Sequence, residues 1–314
     1  MLRRIVIIIC SHTAGTFVRS IYNYQKMRKI FVGISLLTSI VFSAYTHPSS
    51  FKEQRKTDSL ALSNKEKVAA LLKSLETGDQ QAISYLNEHK YIQHNLAVGD
   101  GLEGFKTLLQ QIPPNSGAVN TVRIFQDADY VFAHTEYNFS NPQIAFDIFR
   151  FEDGKIVEHW DNIQDEPATA NPSGHGMIDG TIVVKDLNST EENKKYVRKF
   201  VEDVLVKTRM DKLDSYFKRN DYIQHNPQIG DKVSGLRTAL VKSAENGLTI
   251  KYENIHRVLG EGNFVLVISE GYIGKDHTSF YDLFRVEDGK IAEHWDVLEK
   301  IPAKESWKNE NGKF

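Results

Sequence analysis

The stretch EDGKIVEHWD runs from Glu152 to Asp161, and EDGKIAEHWD runs from Glu287 to Asp296. Nine of the ten residues agree. A second phrase, YIQHN, occupies residues 91–95 and returns at residues 222–226. Internal repetition on this scale indicates that one structural unit is written twice. The sequence therefore predicts two tandem domains, copy one at residues 60–165 and copy two at residues 190–303. The segment 166–189, rich in Pro, Gly and Asn, is predicted to be the linker between them.

Each copy begins with helical periodicity and ends with strand periodicity. The apolar residues of Val68–Leu75 recur at the spacing of one helical face, and those of Val197–Leu205 repeat it. Ser63 and Glu66 have the spacing of a capping box at the start of the first helix. Two shorter helical patterns follow in each copy, and then TVRIF, YVFAHTEY and IAFDIFRF alternate as strands do. Helices followed by antiparallel strands, twice, predict an α+β fold.

The charge distribution argues against two classes of partner. The whole chain has 39 basic and 41 acidic residues, but residues 1–44 hold six of the basic residues and no acidic one. Residues 45–314 therefore carry 33 basic and 41 acidic residues, a net charge of −8. An acidic body of this kind is not expected to bind nucleic acid or an anionic membrane surface.

The N-terminus has the layout of a targeting segment. Met27–Ala44 has a basic start, a short apolar run and small residues at its end, which is typical of a secretory signal peptide. The apolar run is shorter than the ~20 residues of a membrane-spanning helix. We therefore expect Met27 to be the true start, residues 27–44 to be a cleaved signal rather than the alternative, a membrane anchor, and the protein to be periplasmic or secreted. The only cysteine, Cys10, lies before Met27.

The repeated EDG predicts a hairpin turn, because glycine tolerates the left-handed conformation best. A three-residue loop between Phe151 and Lys155 is favoured over a two-residue Asp-Gly turn. That register places Asp147 opposite His159, with Asp161 on the same face of the sheet. The predicted opposite face holds Phe146, Ile148, Arg150, Ile156, Glu158 and Trp160. The same pattern in copy two places Asp282 opposite His294, with Asp296 beside them.

These residues resemble the SnoaL-like group of the nuclear transport factor 2-like superfamily. The resemblance rests on YIQHN early and FRFEDGKIVEHWD late in each copy, and covers about residues 60–165 and 190–300. It implies a cone-shaped domain in which three helices pack on a curved antiparallel sheet around a pocket. Some members are cofactor-free cyclases, isomerases or dehydratases, whereas others only bind ligands. Copy one departs from the usual HNP by having Leu96 where copy two has Pro227.

The candidate catalytic residues are Asp161, His159 and Asp147 of copy one. By its place in EHWD, Asp161 resembles the acid/base aspartate of SnoaL-like cyclases. Burial raises the pKa of a carboxylic acid and a nearby imidazolium lowers it, so such a cluster suits proton transfer. The candidate substrate-binding residues are His94, Asn95, His134, His225, Asn226, Asp282, His294 and Asp296. The alternative is that Asp and His merely satisfy each other inside the fold.

A metal site is the other interpretation of the histidines and aspartates of copy one. His94, His134 and His159 with Asp147 and Asp161 have ligand types that suit zinc or iron. Their spacing matches no compact motif such as HExxH. We therefore expect neither a metal nor a cofactor.

Three functions remain open from the sequence. The first is an exported enzyme that performs acid/base chemistry on a small carbonyl compound. The second is a module that binds a small molecule without turnover. In the third, the two copies form an intramolecular pseudo-dimer in which one copy only supports the other. The expected partners are a small molecule and the other copy, with no membrane once the signal segment is removed.

Overall fold

The structure is a computed structural model that describes residues 62–245 and 247–314, with the side chain of Ala244 left out. The targeting segment and Cys10 lie outside the described residues. All the described residues belong to one compact unit. Within the described residues, no helix combines the length and apolarity that crossing a bilayer requires.

The first helix, α1 (Asn64–Thr77), begins at the predicted capping box. The Glu66 N–H donates to Ser63 Oγ over 3.3 Å, and the Ser63 N–H donates to Glu66 Oε2 over 2.7 Å. Two of the unpaired N–H groups at the start of the helix are thereby satisfied. The helix ends at Gly78, whose φ of +72° is the left-handed cap that glycine adopts without strain.

The two copies have the same order of elements. Copy one continues with a 3₁₀ helix (Gln80–Tyr85), β1 (Ile92–Gln93), α2 (Gly101–Gln111), β2 (Ala118–Asp127), β3 (Tyr130–Asn138), β4 (Pro142–Glu152) and β5 (Lys155–Asp165). Copy two has a 3₁₀ turn (Leu187–Ser189), α3 (Thr190–Phe200) with a π-helical continuation (Val201–Val206), a 3₁₀ helix (Leu213–Tyr216), β6 (Ile223–Gln224), α4 (Lys232–Glu245), β7 (Ile250–Glu261), β8 (Phe264–Ile273), β9 (Asp276–Glu287) and β10 (Lys290–Lys300). A last 3₁₀ turn (Lys304–Ser306) lies in the C-terminal tail, residues 304–314.

Each copy contributes one five-stranded sheet, so the protein is a mixed α+β structure. The strand orders are β1-β5-β4-β3-β2 and β6-β10-β9-β8-β7. Four strands of each sheet are antiparallel, but β1 and β6, which lie in the YIQHN phrases, pair in parallel with β5 and β10. The expectation of purely antiparallel sheets is therefore wrong at this edge.

The predicted hairpin register is also wrong, by two residues. The turn holds only Asp153 and Gly154, whose φ values of +48° and +73° are those of the type I′ turn that Asp-Gly favours. A bulge at Val157 then adds one residue to β5. As a result Asp147 lies opposite Asp161, and His159 lies opposite Phe149.

The side chains nevertheless share the predicted face, because a shift of two residues preserves the alternation of a strand. Ile156 is the exception: it precedes the bulge and packs in the core on the helix side. Copy two repeats the geometry, with a turn at Asp288 and Gly289 and a bulge after Ile291. There Asp282 lies opposite Asp296 and not opposite His294.

The faces that point away from the helices pack against each other. One buried cluster contains Phe146, Ile148 and Trp160 of copy one together with Tyr281, Leu283 and Trp295 of copy two. Each sheet also sends an arginine onto the tryptophan of the other. The Arg123 guanidinium lies 4.4 Å from the Trp295 ring centre, and the Arg257 guanidinium lies 4.1 Å from that of Trp160.

The chain segment that follows each sheet fastens the YIQHN region of one copy. In the linker, Asn171 Nδ2 donates to the carbonyl oxygens of Gln224 (2.6 Å) and Ile229 (3.0 Å) of copy two. In the C-terminal tail, Asn311 and Asn309 donate to the equivalent carbonyl oxygens of copy one, Gln93 and Val98, over 3.0 Å each. The tail that leaves copy two therefore covers copy one, and the linker that leaves copy one covers copy two.

Candidate functional site

A cavity of about 270 Å³ lies between helices α1 and α2 and the sheet of copy one. Its wall is mostly apolar, with Leu71, Leu75, Phe105 and Phe149 among its members. The polar residues of the wall are Gln93, Asn95, Gln143, Asp147, His159 and Asp161. A concave apolar site with a few converging polar groups is the usual form of a small-molecule site.

The proton on the His159 ring is fixed by Gln93. Gln93 Oε1 accepts from the Asn95 backbone N–H over 2.8 Å, which sets the orientation of the amide. His159 Nδ1, 2.9 Å from the same oxygen, must therefore donate its proton there. Nε2 faces Asp147 Oδ1 at 3.3 Å. A proton between these two atoms would make the contact a hydrogen bond, either from an imidazolium to a carboxylate or from a carboxylic acid to an imidazole.

The Asp147 carboxyl is buried and has a second hydrogen-bond partner. Burial raises the pKa of the Asp147 carboxyl above its ordinary value. Its second oxygen accepts a hydrogen bond of 2.9 Å from the Tyr137 hydroxyl. The Tyr137 pKa is raised well above its usual value, first by burial and then by the Asp147 charge, so the phenol remains a donor.

Asp161 is held differently on its two oxygens. Asn95 Nδ2 donates to Oδ2 over 2.5 Å. Oδ1 is buried and has no hydrogen-bond partner among the described residues. The nearest cation is the ammonium of Lys313, 3.6 Å from Oδ1, which also donates to Glu299 Oε2 over 2.7 Å. A buried carboxylate oxygen without a donor can accept a proton from a ligand in the cavity.

The Asp147, His159 and Asp161 cluster has the spacing of a metal site, but the ring nitrogens of His159 are not free. One ligand atom each from Asp147, His159 and Asp161 lies within 4.8 Å of the others. Both nitrogens of His159 are already engaged by Gln93 and Asp147, so a metal would have to displace one of these hydrogen bonds. The arrangement fits proton transfer without rearrangement.

Copy two repeats the polar contacts but fills the space above them. His294 lies between Gln224 Oε1 (2.9 Å) and Asp282 Oδ1 (3.0 Å), and Asn226 donates to Asp296 over 2.7 Å. Burial raises the pKa of Asp296 to about 6. Phe280 occupies the position in β9 that Ala145 occupies in β4, and its ring centre lies 4.1 Å from that of Tyr252, with the two rings tilted by 32°.

Three of the predicted substrate-binding histidines do not reach the cavity. His134 lies on the opposite face of the sheet, stacked on Phe146 at 4.3 Å and 3.2 Å from Arg123 Nη1. The strand phase causes this, because its neighbour Ala133 is the residue opposite Asp147. His94 and His225 stack on Trp160 and Trp295 and bind Glu158 and Glu293 instead. His94 and His134 therefore lie outside the wall of the copy-one cavity, whereas His225 belongs to copy two, and its role in ligand binding there stays a prediction.

Sequence reasoning missed three members of the site: Gln93, Tyr137 and Lys313. Gln93 could have been found, since it stands inside the repeated YIQHN. Tyr137 has no sequence equivalent, because in copy two the hydroxyl beside Asp282 comes from Tyr252 on the neighbouring strand, 3.3 Å away. Lys313 carries no local signal.

Comparison with models of known protein families gave one match. Residues 197–294, in copy two, match the family model of a SnoaL-like domain. A search of curated proteins found no match.

Similar solved structures each cover about a third of the chain. A candidate polyketide cyclase from Bacillus cereus is 25% identical, with a TM-score of 0.28 over 33% of this chain and 79% of its own. An LEH-like epoxide hydrolase from M. tuberculosis is also 25% identical, with a TM-score of 0.28 over 35% and 85%. An NTF-2 like protein of unknown function from Burkholderia xenovorans is 17% identical, with a TM-score of 0.30 over 34% and 86%.

Proposed function

We propose that the cavity of copy one binds a small, largely apolar carbonyl compound and moves a proton on it without a cofactor. The observation that carries this is Asp161: a buried carboxylate in an apolar wall, with Asn95 on one oxygen and, among the described residues, no hydrogen-bond donor on the other, which lies 3.6 Å from the Lys313 ammonium. A base in such a position is poised to remove a proton beside a carbonyl group.

The second proton group of the site complements the first. A proton between His159 and Asp147 is available to an enolate oxygen, where negative charge develops when Asp161 takes a proton. Reactions of this kind include isomerisation, dehydration and aldol-type cyclisation. The resemblance of both copies to SnoaL-like proteins, and the family match in copy two, support the same class.

The volume of the copy-one cavity limits the size of the ligand. An apolar cavity of about 150 Å³ holds benzene. The cavity of copy one, at about 270 Å³, suits a compound of two fused rings or a chain of similar size. Among the described residues of the wall there is no lysine or arginine, so the cavity disfavours highly anionic substrates.

A module that binds a ligand without turnover is the second candidate. It is favoured by the hydrogen bonds that Asp147, His159 and Gln93 already make with each other. These contacts hold the wall rigid whether or not a proton moves.

Deuterium exchange distinguishes the two candidates. The purified chain is incubated with 2-tetralone in D₂O, and exchange at the carbon beside the carbonyl is followed by NMR, with binding measured separately by calorimetry. Proton transfer predicts exchange faster than in buffer, and slower exchange in Asp161→Asn. Binding without faster exchange supports the module. Neither binding nor exchange removes 2-tetralone-like ketones from the candidate ligands.

The organisation of the chain and its location complete the proposal. Two tandem SnoaL-like domains, packed through their sheets as an intramolecular pseudo-dimer, account for the repeated phrases and the shared aromatic cluster.

The proposal that the protein is exported rests on Met27–Ala44 alone. Intact mass of protein recovered from the periplasm or medium tests it, with a mature N-terminus expected near Tyr45. Retention of the apolar run in the recovered protein contradicts export with cleavage.

A further inference from the structure

Outside the cavity, two histidines of different segments face one carboxylate. His175 and Asp179 belong to the linker, and His225 belongs to the second YIQHN phrase. His225 Nδ1 lies 2.6 Å from Asp179 Oδ1 and 3.0 Å from the Gly176 carbonyl oxygen, and His175 Nδ1 lies 3.9 Å from Asp179 Oδ2. One ligand atom from each of the three residues lies within 4.8 Å of the other two.

The far nitrogen of each ring is held by another carboxylate. His225 Nε2 lies 3.0 Å from Glu293 Oε1, and His175 Nε2 lies 3.1 Å from Asp231 Oδ2. Arg285 Nε donates to the other oxygen of Glu293, Oε2, over 2.7 Å, so Glu293 lies between two donors. Glu293 is therefore an acceptor, and Nε2 of His225 must carry the proton.

This arrangement directs the Nδ1 atoms of both histidines towards Asp179. A histidine that donates one N–H to a carboxylate presents its other nitrogen as a ligand, which is the usual support for histidines that bind metals. His225 Nδ1 lies between two acceptor oxygens, Asp179 Oδ1 and the Gly176 carbonyl oxygen, so a metal ion would take the place of the proton on that nitrogen. His225 is 1% exposed, so bulk water does not compete for this position.

The backbone around Asp179 is fixed in a way that serves such a site. Arg123 donates to the carbonyl oxygens of Ile178 (3.0 Å) and Thr181 (2.8 Å), on either side of Asp179. A side chain on Gly180 would meet Glu293 Oε1 at 2.3 Å and His225 Nε2 at 2.8 Å, so only glycine allows this approach.

We propose that His175 Nδ1, His225 Nδ1 and the Asp179 carboxylate bind one divalent transition-metal ion, with zinc as the best fit. Two imidazoles and a carboxylate are ligands that zinc accepts, at about 2.0–2.2 Å each. The 2.6 Å contact between His225 and Asp179 widens on binding, which Asp179 permits because its side chain is 49% exposed. The ion clips the linker onto copy two.

Copy one provides an internal comparison. His94 has the same surroundings as His225: it stacks on Trp160, its Nε2 lies 2.9 Å from Glu158, and its Nδ1 lies 2.9 Å from the Gly312 carbonyl oxygen. The tail has Asn311 before that glycine, where the linker has His175 before Gly176. In copy one, His94 therefore has a carboxylate on Nε2, as His225 does, but no histidine in the tail corresponds to His175.

Calorimetry with zinc chloride on the chain stripped with EDTA tests the site. The expected result is one ion per chain, with a dissociation constant in the micromolar range or below. His175→Gln and Asp179→Asn each weaken binding at least ten-fold, whereas His89→Gln, on an exposed histidine, leaves it unchanged. Zinc also raises the Tm of the parent chain but not of His175→Gln. Circular dichroism in EDTA checks that both variants fold. If His175→Gln does not fold, the test rests on Asp179→Asn, which changes a half-exposed side chain.

The variant Asp161→Asn separates this site from the cavity. It retains zinc binding if the linker site is correct. Loss of binding in Asp161→Asn with full binding in His175→Gln would move the metal into the cavity and overturn the proposal. Absence of zinc binding to the parent chain overturns it as well, and leaves His225 as an imidazolium between Glu293 and Asp179. Neither result bears on proton exchange with 2-tetralone.

Discussion

The ammonium of Lys313 lies 3.6 Å from Oδ1 of Asp161, so the C-terminal tail delivers a buried cation to the candidate base of copy one. Lys313 is 3% exposed, and Glu299 of β10 is its second partner. In the linker, the residue that follows the equivalent glycine is Met177, which is buried and apolar. The sites of copy one and copy two therefore match in their polar contacts. They differ at the tail or linker residue after the glycine, which is the cation Lys313 for copy one and the uncharged Met177 for copy two.

Lys313→Met should lower the free energy of unfolding by about 1–3 kcal/mol. The change leaves Asp161 and Glu299 without their shared cation, and removing one partner of a buried pair is costly, although the partial exposure of Glu299 reduces the effect. Urea unfolding measures it. Lys308→Met, which removes the same charge from an exposed position, is the control and should change stability by less than ~0.5 kcal/mol. Equal effects of the two changes would show that the ion pair contributes nothing.

Asp161→Asn should slow proton exchange of a bound ketone by roughly 100- to 10,000-fold, the usual contribution of a general base. Affinity for the ketone should stay within a few-fold, because the amide keeps the size of the side chain. Asp296→Asn is the matched change in copy two, where Phe280 fills the space, and should have little effect on exchange. A similar loss in both variants contradicts the assignment of activity to copy one.

Asp296 should make the protein less stable as the pH rises. Its pKa is about 6 in the folded protein, against about 3.9 in an unfolded chain, so the folded state holds the proton more tightly. The stabilisation that Asp296 contributes is full below about pH 4 and is lost as the pH rises through 6. Between pH 4.5 and 7.5 the parent chain should lose about 2 kcal/mol relative to Asp296→Asn.

Urea unfolding of both proteins at the two pH values measures this difference. Asp211→Asn, at an exposed position, is the control and should show no such trend. A gap between parent and Asp296→Asn that stays constant with pH would mean that Asp296 titrates alike in both states.

Phe280→Ala should open a cavity in copy two. Its ring is fully buried, and truncation of a buried phenylalanine typically costs about 3–5 kcal/mol. Because Ala145 holds the same place in copy one, the variant should also bind a second molecule of 2-tetralone, which calorimetry counts. Phe280→Leu keeps most of the volume and should bind one. A stoichiometry of one in both variants indicates that the copy-two core collapses into the space.

Local sequence patterns predicted the elements of the fold and the face of the sheet that carries the site. The capping box and the helical apolar faces each depend on neighbouring residues, which the sequence displays, whereas the hairpin was predicted with a three-residue loop and has a two-residue Asp-Gly turn. The prediction that Asp147, His159 and Asp161 share one face of the sheet was correct although the register was wrong, because a shift of two residues keeps each side chain on the same face. The bulge itself could not be predicted, since Val157 and its equivalent Ala292 are ordinary strand residues.

Contacts between distant segments were not predictable. The phase of β3 had to be chosen from YVFAHTEY, in which both alternating sets are largely apolar, and the choice put His134 on the wrong side. The approach of Lys313 to Asp161 depends on the path of the tail across copy one. No periodicity encodes that path.

The exchange of covering segments makes the two halves of the chain interdependent. If the gene were divided between the codons for Lys185 and Asp186, the N-terminal fragment would carry Asn171, which fastens the other fragment. It would lack Asn309 and Asn311, which fasten its own YIQHN loop. Each fragment alone would also expose the aromatic face that the other covers. The fragments should therefore be recovered folded only when they are produced together, as a complementing pair.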